Sequence, residues 1–161
     1  LVFSHGVGPG AEWGNTLKVG DGCSLFGPRD SLDLNGLTRP ALLFGDETTF
    51  ALSHSLRFTP AGAANVRLVF EVTSKRVAER VLTELGVAHF DLVERAPDDS
   101  HLDEVERLAV EQVQARAVTS CALTGKASSI QRVNKRLRSL GLAGRQIRTR
   151  AYWAPGKQGL D

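Results

Sequence analysis

Apolar and polar positions alternate in blocks along residues 40–153. Short, nearly continuous apolar runs are followed by longer stretches in which apolar residues recur every three or four positions. The apolar runs, which predict β-strands, are residues 41–44, 66–72, 90–93, 117–123 and 147–153. Strands that alternate with helices in this way predict the α/β class, with a doubly wound, five-stranded parallel sheet.

Helix boundaries in this region carry their own signals. The first helix is expected from residue 47 to about residue 58. Ser74 is placed to cap the second helix, and Gly86 stands where its end needs a left-handed conformation. The predicted apolar stripe of that helix consists of Val77, Val81, Leu82 and Leu85. Residues 100–103 resemble a capping box that starts the third helix, and Gly141 ends the fourth.

Ligands of doubly wound proteins bind at the carboxyl ends of the strands, near the point where the strand order reverses. In this chain those ends are residues 45–48, 73–76, 95–96, 124–126 and the segment after residue 153. The sequence therefore predicts a ligand crevice along this edge of the sheet.

Residues 1–35 do not follow the strand–helix alternation. Residues 1–4 and 23–26 predict short antiparallel strands, and two strands alone do not form a stable unit. We therefore expect a terminal β segment, residues 1–35, before an α/β domain, residues 36–161. The chain begins in mid-pattern and contains no methionine, so we expect it to be a piece of a longer protein.

Composition narrows the class of protein. The 161 residues are 42% hydrophobic and 24% charged, as in ordinary globular domains. Apolar runs fall short of the roughly 20 residues of a membrane helix, and no secretory leader is recognisable, so we expect a cytoplasmic protein without a membrane span. Cys23 and Cys121 lack ligand-spaced partners and the histidines are scattered, so we expect buried thiols and no bound metal.

Charge is distributed unevenly along the chain. Residues 1–111 carry 10 basic and 17 acidic side chains, whereas residues 112–161 carry 10 basic side chains and a single acid, Asp161. This basic C-terminal third indicates an anionic partner, which could be nucleic acid, a phosphorylated cofactor or an acidic substrate. Its aromatic residues, Tyr152 and Trp153, adjoin each other instead of alternating with the charges, which argues against nucleic acid.

The segment Gly45-Asp46-Glu47-Thr48-Thr49, between the first strand and the first helix, is the most informative local motif. The free amides at the start of a helix can hold a pyrophosphate at such a turn. The alternative is an ordinary turn in which Asp46 caps the helix, because acids suit a helix N-terminus and repel phosphate.

Two further segments could either contact a cofactor or lie on the solvent-exposed surface without a ligand. Ser74-Lys75-Arg76 follows the second strand, where the ribose and any 2′-phosphate of a dinucleotide usually lie, but these residues also suit a solvated helix start. Residues 6–13 either approach a phosphate, with Trp13 covering an aromatic ring, or form a flexible surface loop. Nucleophile-elbow, Walker and zinc-protease motifs do not occur in the sequence, which argues against hydrolytic chemistry.

The order of these motifs resembles that of the siderophore-interacting proteins, flavin-dependent ferric-siderophore reductases related to ferredoxin reductase. The family pattern reads approximately His-Gly-x-x-Gly-Pro-Ala-Ser-x-Trp, then Gly-Asp…Gly-Pro-Arg-Gly-Ser, Gly-Asp-Glu-Thr and, near the end, Tyr-Trp-Arg-Arg-Gly. The matching residues, in the same order and with fitting spacings, are His5-Gly6, Gly8-Pro9, Trp13, Gly20-Asp21, Gly27-Pro28-Arg29, Ser31, Gly45-Asp46-Glu47-Thr48, Gly125, Tyr152-Trp153 and Gly156.

The resemblance implies that residues 1–35 are the last strands of an FAD-binding barrel and residues 36–161 an NAD(P)H-binding domain of the ferredoxin-reductase type. It implies that hydride passes from NAD(P)H to FAD and electrons pass on to a ferric siderophore, which then releases its iron. The implied siderophore contact is Lys157, and no residue has an implied catalytic role. The implied cofactor contacts are His5, Gly6, Gly8, Pro9, Trp13, Gly45, Asp46, Glu47, Thr48, Thr49, Ser74, Lys75, Arg76, Gly125 and Trp153.

The chain departs from the family pattern at Asp30, Ala51, Lys126 and Ala154-Pro155, and it contains no counterpart of the family's flavin motif Arg-x-Tyr-Thr. We therefore expect this chain by itself to retain FAD poorly and to have little reductase activity. The alternative function is a non-catalytic nucleotide-binding or regulatory module whose basic C-terminal surface binds an acidic partner. Nucleic-acid binding is a third, less favoured alternative.

Overall fold

The computed structural model describes residues 9–24, 32, 34, 36–59, 64–116 and 118–157. The chain divides into two compact units, residues 1–31 and 32–161. Within the described part of the first unit, one helix, α1 (Pro9–Thr16), precedes residues 17–24, which form neither helix nor strand. The assignment of residues 1–35 to a flavin-binding barrel stays a prediction.

Three expectations for this first unit need correction or lie outside the described residues. The loop expected over residues 6–13 is wrong for residues 9–13, which belong to α1. Cys23 and Ser24 are not in a strand, and the Cys23 side chain is exposed instead of buried. The remaining residues of the two predicted strands, 1–4 and 25–26, lie outside the described part of the chain.

The second unit alternates strands and helices, as the sequence predicts. Short 3₁₀ turns, Glu47–Thr49, Leu56–Phe58 and Gly144–Gln146, flank the second helix and precede the last strand. The elements in chain order are β1 (Ala41–Gly45), α2 (Phe50–Ser55), β2 (Val66–Val72), α3 (Lys75–Glu84), β3 (Phe90–Glu94), α4 (Leu102–Arg116), β4 (Ser120–Lys126), α5 (Ala127–Ser139) and β5 (Ile147–Trp153).

All five strands are parallel and lie in the order β3-β2-β1-β4-β5. The chain first builds outward from β1 to β3, and then returns to the other side of β1 for β4 and β5. In the register of the central pair, Phe44 lies opposite Leu123. The predicted class, a doubly wound parallel sheet, is therefore confirmed, and its order reverses between β1 and β4.

Apolar side chains cover both faces of the sheet, which explains why β1 and most of β2 and β4 are buried along their length. Neighbouring residues of a strand point to opposite faces. Leu42, Phe44 and Val69 pack on the side of α4 and α5, while Leu43 and Phe70 pack on the side of α2 and α3. These two cores fix the strand ends that carry the candidate site.

Three local expectations differ from the structure. β4 begins at Ser120, three residues later than predicted, and continues to Lys126. Val77 is 44% exposed, so the buried stripe of α3 is formed by Ala78 and Leu82. The capping box at residues 100–103 is wrong, because the Ser100 hydroxyl donates to Asp98 Oδ1 (2.7 Å) and the helix begins at Leu102. Gly86 has the expected positive φ, and Gly141, which also has a positive φ, follows the end of α5 as predicted.

Over the described ranges, no helix combines the length and apolar character that crossing a bilayer would require.

Candidate functional site

The carboxyl ends of β1 and β4 meet at the point where the strand order reverses. The turn that joins β1 to α2, residues 45–49, and the last residues of β4, 124–126, therefore lie side by side. We use the name carboxyl-edge network for the side chains that join these two segments to the ends of the other strands. Its members are Asp46, Glu47, Thr49, Thr73, Arg95, Thr124 and Trp153.

Asp46 is the helix cap of the turn and is 1% exposed. Its Oδ1 accepts hydrogen bonds from the amide (2.9 Å) and the hydroxyl of Thr48. Its Oδ2 accepts from the indole Nε1 of Trp153 at 2.7 Å, so it also ties the end of β5 to the turn. The structure therefore adopts the cap interpretation of the sequence motif, and both Asp46 oxygens are directed at protein groups; a contact between Asp46 and a cofactor stays a prediction.

The amides of this turn are also largely satisfied within it. The Thr48 amide donates to Asp46 Oδ1, and the Thr49 amide donates to the Asp46 carbonyl at 2.8 Å. The Asp46 amide donates to Thr49 Oγ1 at 3.3 Å. In this conformation the amides of Thr48 and Thr49 are therefore engaged within the turn, and the contact of Gly45, Thr48 and Thr49 with a pyrophosphate stays a prediction.

Glu47 joins the ends of the first three strands. Its Oε1 accepts from the Thr73 amide, after β2, at 2.6 Å, and its Oε2 accepts from Arg95 Nη2, after β3. Arg95 Nη2 also donates to Thr73 Oγ1 at 2.9 Å. Burial acts to raise the pKa of Glu47, but the Thr73 amide and the Arg95 guanidinium outweigh it, and the pKa lies below its ordinary value.

Two glycines make this packing sterically feasible. A Cβ on Gly45 would lie 2.1 Å from Thr49 Oγ1, which instead bonds Thr124 Oγ1 across the strand boundary at 2.8 Å. Gly125 has φ +103°, and a Cβ there would lie 2.5 Å from Asp46 Oδ2. Both predicted positions are thus glycines because the network itself fills the space above them.

At the outer surface of the network, which we call the shelf, the side chains of Arg95 and Trp153 lie together. The Arg95 guanidinium carbon is 6.0 Å from the centroid of the Trp153 ring. Trp153, Arg95 and Thr48 are all partly exposed, and Thr73 is exposed beside them. Along this edge, the shelf therefore exposes an aromatic ring, a cation and two threonines.

Ser74, Lys75 and Arg76 lie at the start of α3, next to the shelf. The Ser74 hydroxyl accepts from the Val77 amide at 3.5 Å, which confirms it as the cap. The Lys75 amide donates to Glu94 Oε2, at the end of β3, at 3.2 Å. The Lys75 and Arg76 side chains are exposed. The structure therefore brings these residues to the same edge as the Gly45 turn.

A second polar cluster lies beneath the edge and was not identified from the sequence. Glu71, in β2, is fully buried, and its Oε2 accepts from His101 Nε2 (2.9 Å) and from the Ser129 hydroxyl (3.0 Å). His101 Nδ1 accepts from the Ala96 amide at 3.2 Å, so Nε2 carries the hydrogen directed at Glu71. Burial raises the pKa of Glu71, although His101 and Ser129 oppose this.

The signal for this cluster was present but easily missed. A glutamate near the end of a largely apolar strand, whose other charged residue is Arg67, is unusual, because a buried carboxylate needs partners. Those partners come from the starts of α4 and α5, 30 and 58 residues further along the chain, and no local pattern links them.

The predicted contacts in the first unit and after β5 stay predictions. His5, Gly6 and Gly8 lie outside the described residues. Pro9 begins α1, and Trp13 in the same helix is 49% exposed. Lys157 is exposed after β5. Among the described residues, no group of three His, Cys, Asp or Glu side chains is arranged to hold a metal ion.

The sequence matches no protein-family model and no curated protein. Among solved structures, the chain is similar to the siderophore-interacting protein from Acinetobacter baumannii, with a TM-score of 0.67 and 18% identity over 98% of this chain and 63% of that one. It is similar to the siderophore-interacting protein SipS from Aeromonas hydrophila, with a TM-score of 0.59 and 18% identity over 92% of this chain and 63% of that one.

A third similar structure is the ferredoxin–NADP⁺ reductase from Plasmodium falciparum, with a TM-score of 0.51 and 10% identity over 90% of this chain and 65% of that one. The chain thus spans a little under two thirds of the length of each of these proteins. The resemblance predicted from the motifs is confirmed in the structure: the fold is that of siderophore-interacting proteins, shared with ferredoxin–NADP⁺ reductase.

Proposed function

We propose that this chain is the NAD(P)H-binding portion of a flavin-dependent ferric-siderophore reductase. In such an enzyme the nicotinamide supplies hydride and the flavin passes electrons on to the ferric siderophore. The observation that carries the proposal is the carboxyl-edge network at the β1–β4 boundary, in a fold shared with siderophore-interacting proteins. Doubly wound sheets bind dinucleotides at this position.

The carboxylates of Asp46 and Glu47 oppose an anionic coenzyme less than the sequence motif suggests, because each is paired within the protein. Asp46 is matched by the Trp153 N–H, and Glu47 is matched by Arg95 and the Thr73 amide. Both carboxylates are buried, so neither faces the edge where a diphosphate would lie. The amides of Thr48 and Thr49 do not fit a phosphate cradle, because they already donate within the turn.

The proposed roles therefore divide into contacts and support. Trp153 would offer its ring to a flat heterocycle, and Gly125 would keep side-chain bulk away from the adjoining strand end. Thr48 would lie beside the pyrophosphate, and the start of α3, Ser74 to Arg76, would contact the ribose. Gly45, Asp46, Glu47 and Thr49 would position this surface from below.

The contacts proposed for the flavin and the siderophore come from the sequence resemblance. His5, Gly6, Gly8, Pro9 and Trp13 remain the proposed flavin contacts by the sequence resemblance. Lys157 remains the proposed contact for the siderophore, since an anionic ferric chelate would favour a cation beyond the end of β5.

Calorimetric titration of the chain with NADH and with NADPH tests the coenzyme site. We expect saturable binding of at least one coenzyme, and we expect Trp153→Ala to weaken it about tenfold, the loss typical of removing one well-packed aromatic. Trp153→Phe keeps a ring but loses the hydrogen bond to Asp46, so its loss should be smaller.

Phe58→Ala is the matched control, because Phe58 is also an exposed aromatic but lies in the 3₁₀ turn that follows α2. It should leave binding unchanged. If neither coenzyme binds, the proposal fails and a non-catalytic regulatory module becomes the better account. Equal losses in Trp153→Ala and Phe58→Ala would place the coenzyme away from the carboxyl edge.

A further inference from the structure

Glu94 is an exposed carboxylate at the end of β3, beside the segment that is proposed to hold the coenzyme's ribose. Its Oε2 accepts a hydrogen bond from the Lys75 amide, the first amide of α3, at 3.2 Å. We infer that Glu94 sets the coenzyme preference of this chain, favouring the free ribose hydroxyls of NADH over the 2′-phosphate of NADPH. This inference rests on the proposed function and names the coenzyme for that site.

The first step of the argument is that Glu94 occupies a donor that a phosphate would need. An anion at the start of a helix is held by its first amides. In α3 the Lys75 amide already donates to Glu94, and the Val77 amide donates to Ser74. A 2′-phosphate would therefore have to displace a carboxylate of its own charge sign.

The second step is that the nearest guanidinium is already engaged. Arg95 donates to Glu47 and to Thr73, so its guanidinium serves the carboxyl-edge network. Lys75 and Arg76, in the first turn of α3, are both exposed, so solvent and salt screen their attraction for a phosphate.

The third step is the difference in chemistry between the two coenzymes. A ribose 2′-hydroxyl can donate a hydrogen bond to a carboxylate, whereas a 2′-phosphate has only acceptors and negative charge to present to it. At an exposed site the repulsion between two unit charges about 4 Å apart corresponds to about a fivefold change in affinity. Because the phosphate carries nearly two charges, the expected preference for NADH is larger than this.

Titrations of the chain with NADH and NADPH at low ionic strength test the inference. We expect the unmodified chain to bind NADH about tenfold more tightly than NADPH. Glu94→Gln keeps the side-chain shape but removes the charge, and it should tighten NADPH binding about tenfold while NADH binding changes little. Glu94→Asp keeps the charge and should keep the preference for NADH.

Glu84→Gln is the matched control, because Glu84 is an exposed acid at the opposite end of α3. It should leave both affinities unchanged. The inference is overturned if the unmodified chain prefers NADPH, or if Glu94→Gln and Glu84→Gln change NADPH affinity equally. Those results would leave the proposed function standing, whereas absence of binding by both coenzymes would overturn the two together.

Discussion

At the residue scale, the packing of the carboxyl-edge network requires a glycine at position 125, next to the Asp46 carboxylate. Gly125 combines φ +103° with a missing Cβ that would otherwise lie 2.5 Å from Asp46 Oδ2. The Asp46 carboxylate can accept from Trp153 because this space is available. A positive φ and a steric requirement thus coincide at one position.

We expect Gly125→Ala to lower the free energy of unfolding by about 3 kcal/mol, because it adds backbone strain and a clash with a buried carboxylate. Gly141→Ala is the control. Gly141 has a similar φ of +95°, but among the described residues no atom lies within 4 Å of the position that an added Cβ would take. Gly141→Ala should therefore lower the free energy of unfolding by only about 1 kcal/mol. Urea unfolding of both variants gives the difference, and equal losses would show that Asp46 can yield to the added methyl group.

At the element scale, buried carboxylates join segments that the sequence separates. Glu47 links the ends of β1, β2 and β3, while Glu71 links β2 to the starts of α4 and α5. The two acids have different surroundings, since Glu47 lies in the turn at the edge and Glu71 is buried beneath it. Glu47 has a lowered pKa and Glu71 a raised one, so their effects on stability have opposite signs with pH.

These directions predict how stability responds to pH. Glu47 binds its proton less tightly in the folded state, so its contribution is present above the unfolded-state pKa, about 4.3, and is lost as the pH falls. We expect Glu47→Gln to be less stable than the unmodified chain at neutral pH and to lose less stability on acidification. Urea midpoints measured across the acid range test this.

Glu71→Gln provides the opposite comparison. Because burial raises the pKa of Glu71, its ionisation costs stability as the pH rises from the unfolded-state pKa through the raised folded-state pKa. The substitution should remove that decline and leave the acid limb attributed to Glu47 in place. Parallel pH profiles for Glu47→Gln and the unmodified chain would contradict the assignment.

The elements themselves could be predicted because each depends on local pattern. The strands are apolar runs, and Ser74 and Gly86 mark the ends of a helix by short-range chemistry. Local pattern also allowed the Asp46 cap, but the direction of Glu47 and the bond between Asp46 and Trp153 could not be predicted in this way. They depend on Arg95 and Trp153, which adjoin the turn only after β3 and β5 have joined the sheet.

At the scale of the whole molecule, the uneven charge along the sequence is partly balanced in space. Arg132, in α5, bonds Asp103 and Glu106 of α4, and Lys126 bonds Asp99 at 2.7 Å. The acidic and basic parts of the chain therefore meet where α4 packs beside α5. The basic C-terminal third is thus a weaker indication of an anionic partner than the sequence suggests, and the coenzyme site must be tested directly.

The two cysteines provide such a test for the unit of residues 32–161 as a whole. Cys121 lies in β4, an interior strand of the sheet, where burial raises its pKa to about 12, whereas Cys23 is exposed. A thiol reagent should therefore modify Cys23 rapidly and Cys121 only when the sheet opens. In the Cys23→Ser variant, Cys121 is then the one thiol whose modification is measured.

With NADH at about 100 times its Kd, modification of Cys121 should slow about 100-fold, because the coenzyme binds only the closed form. Adding Trp153→Ala should remove most of this protection at the same NADH concentration. An unchanged Cys121 rate at saturating NADH would mean that coenzyme binding and the folding of this sheet are not coupled.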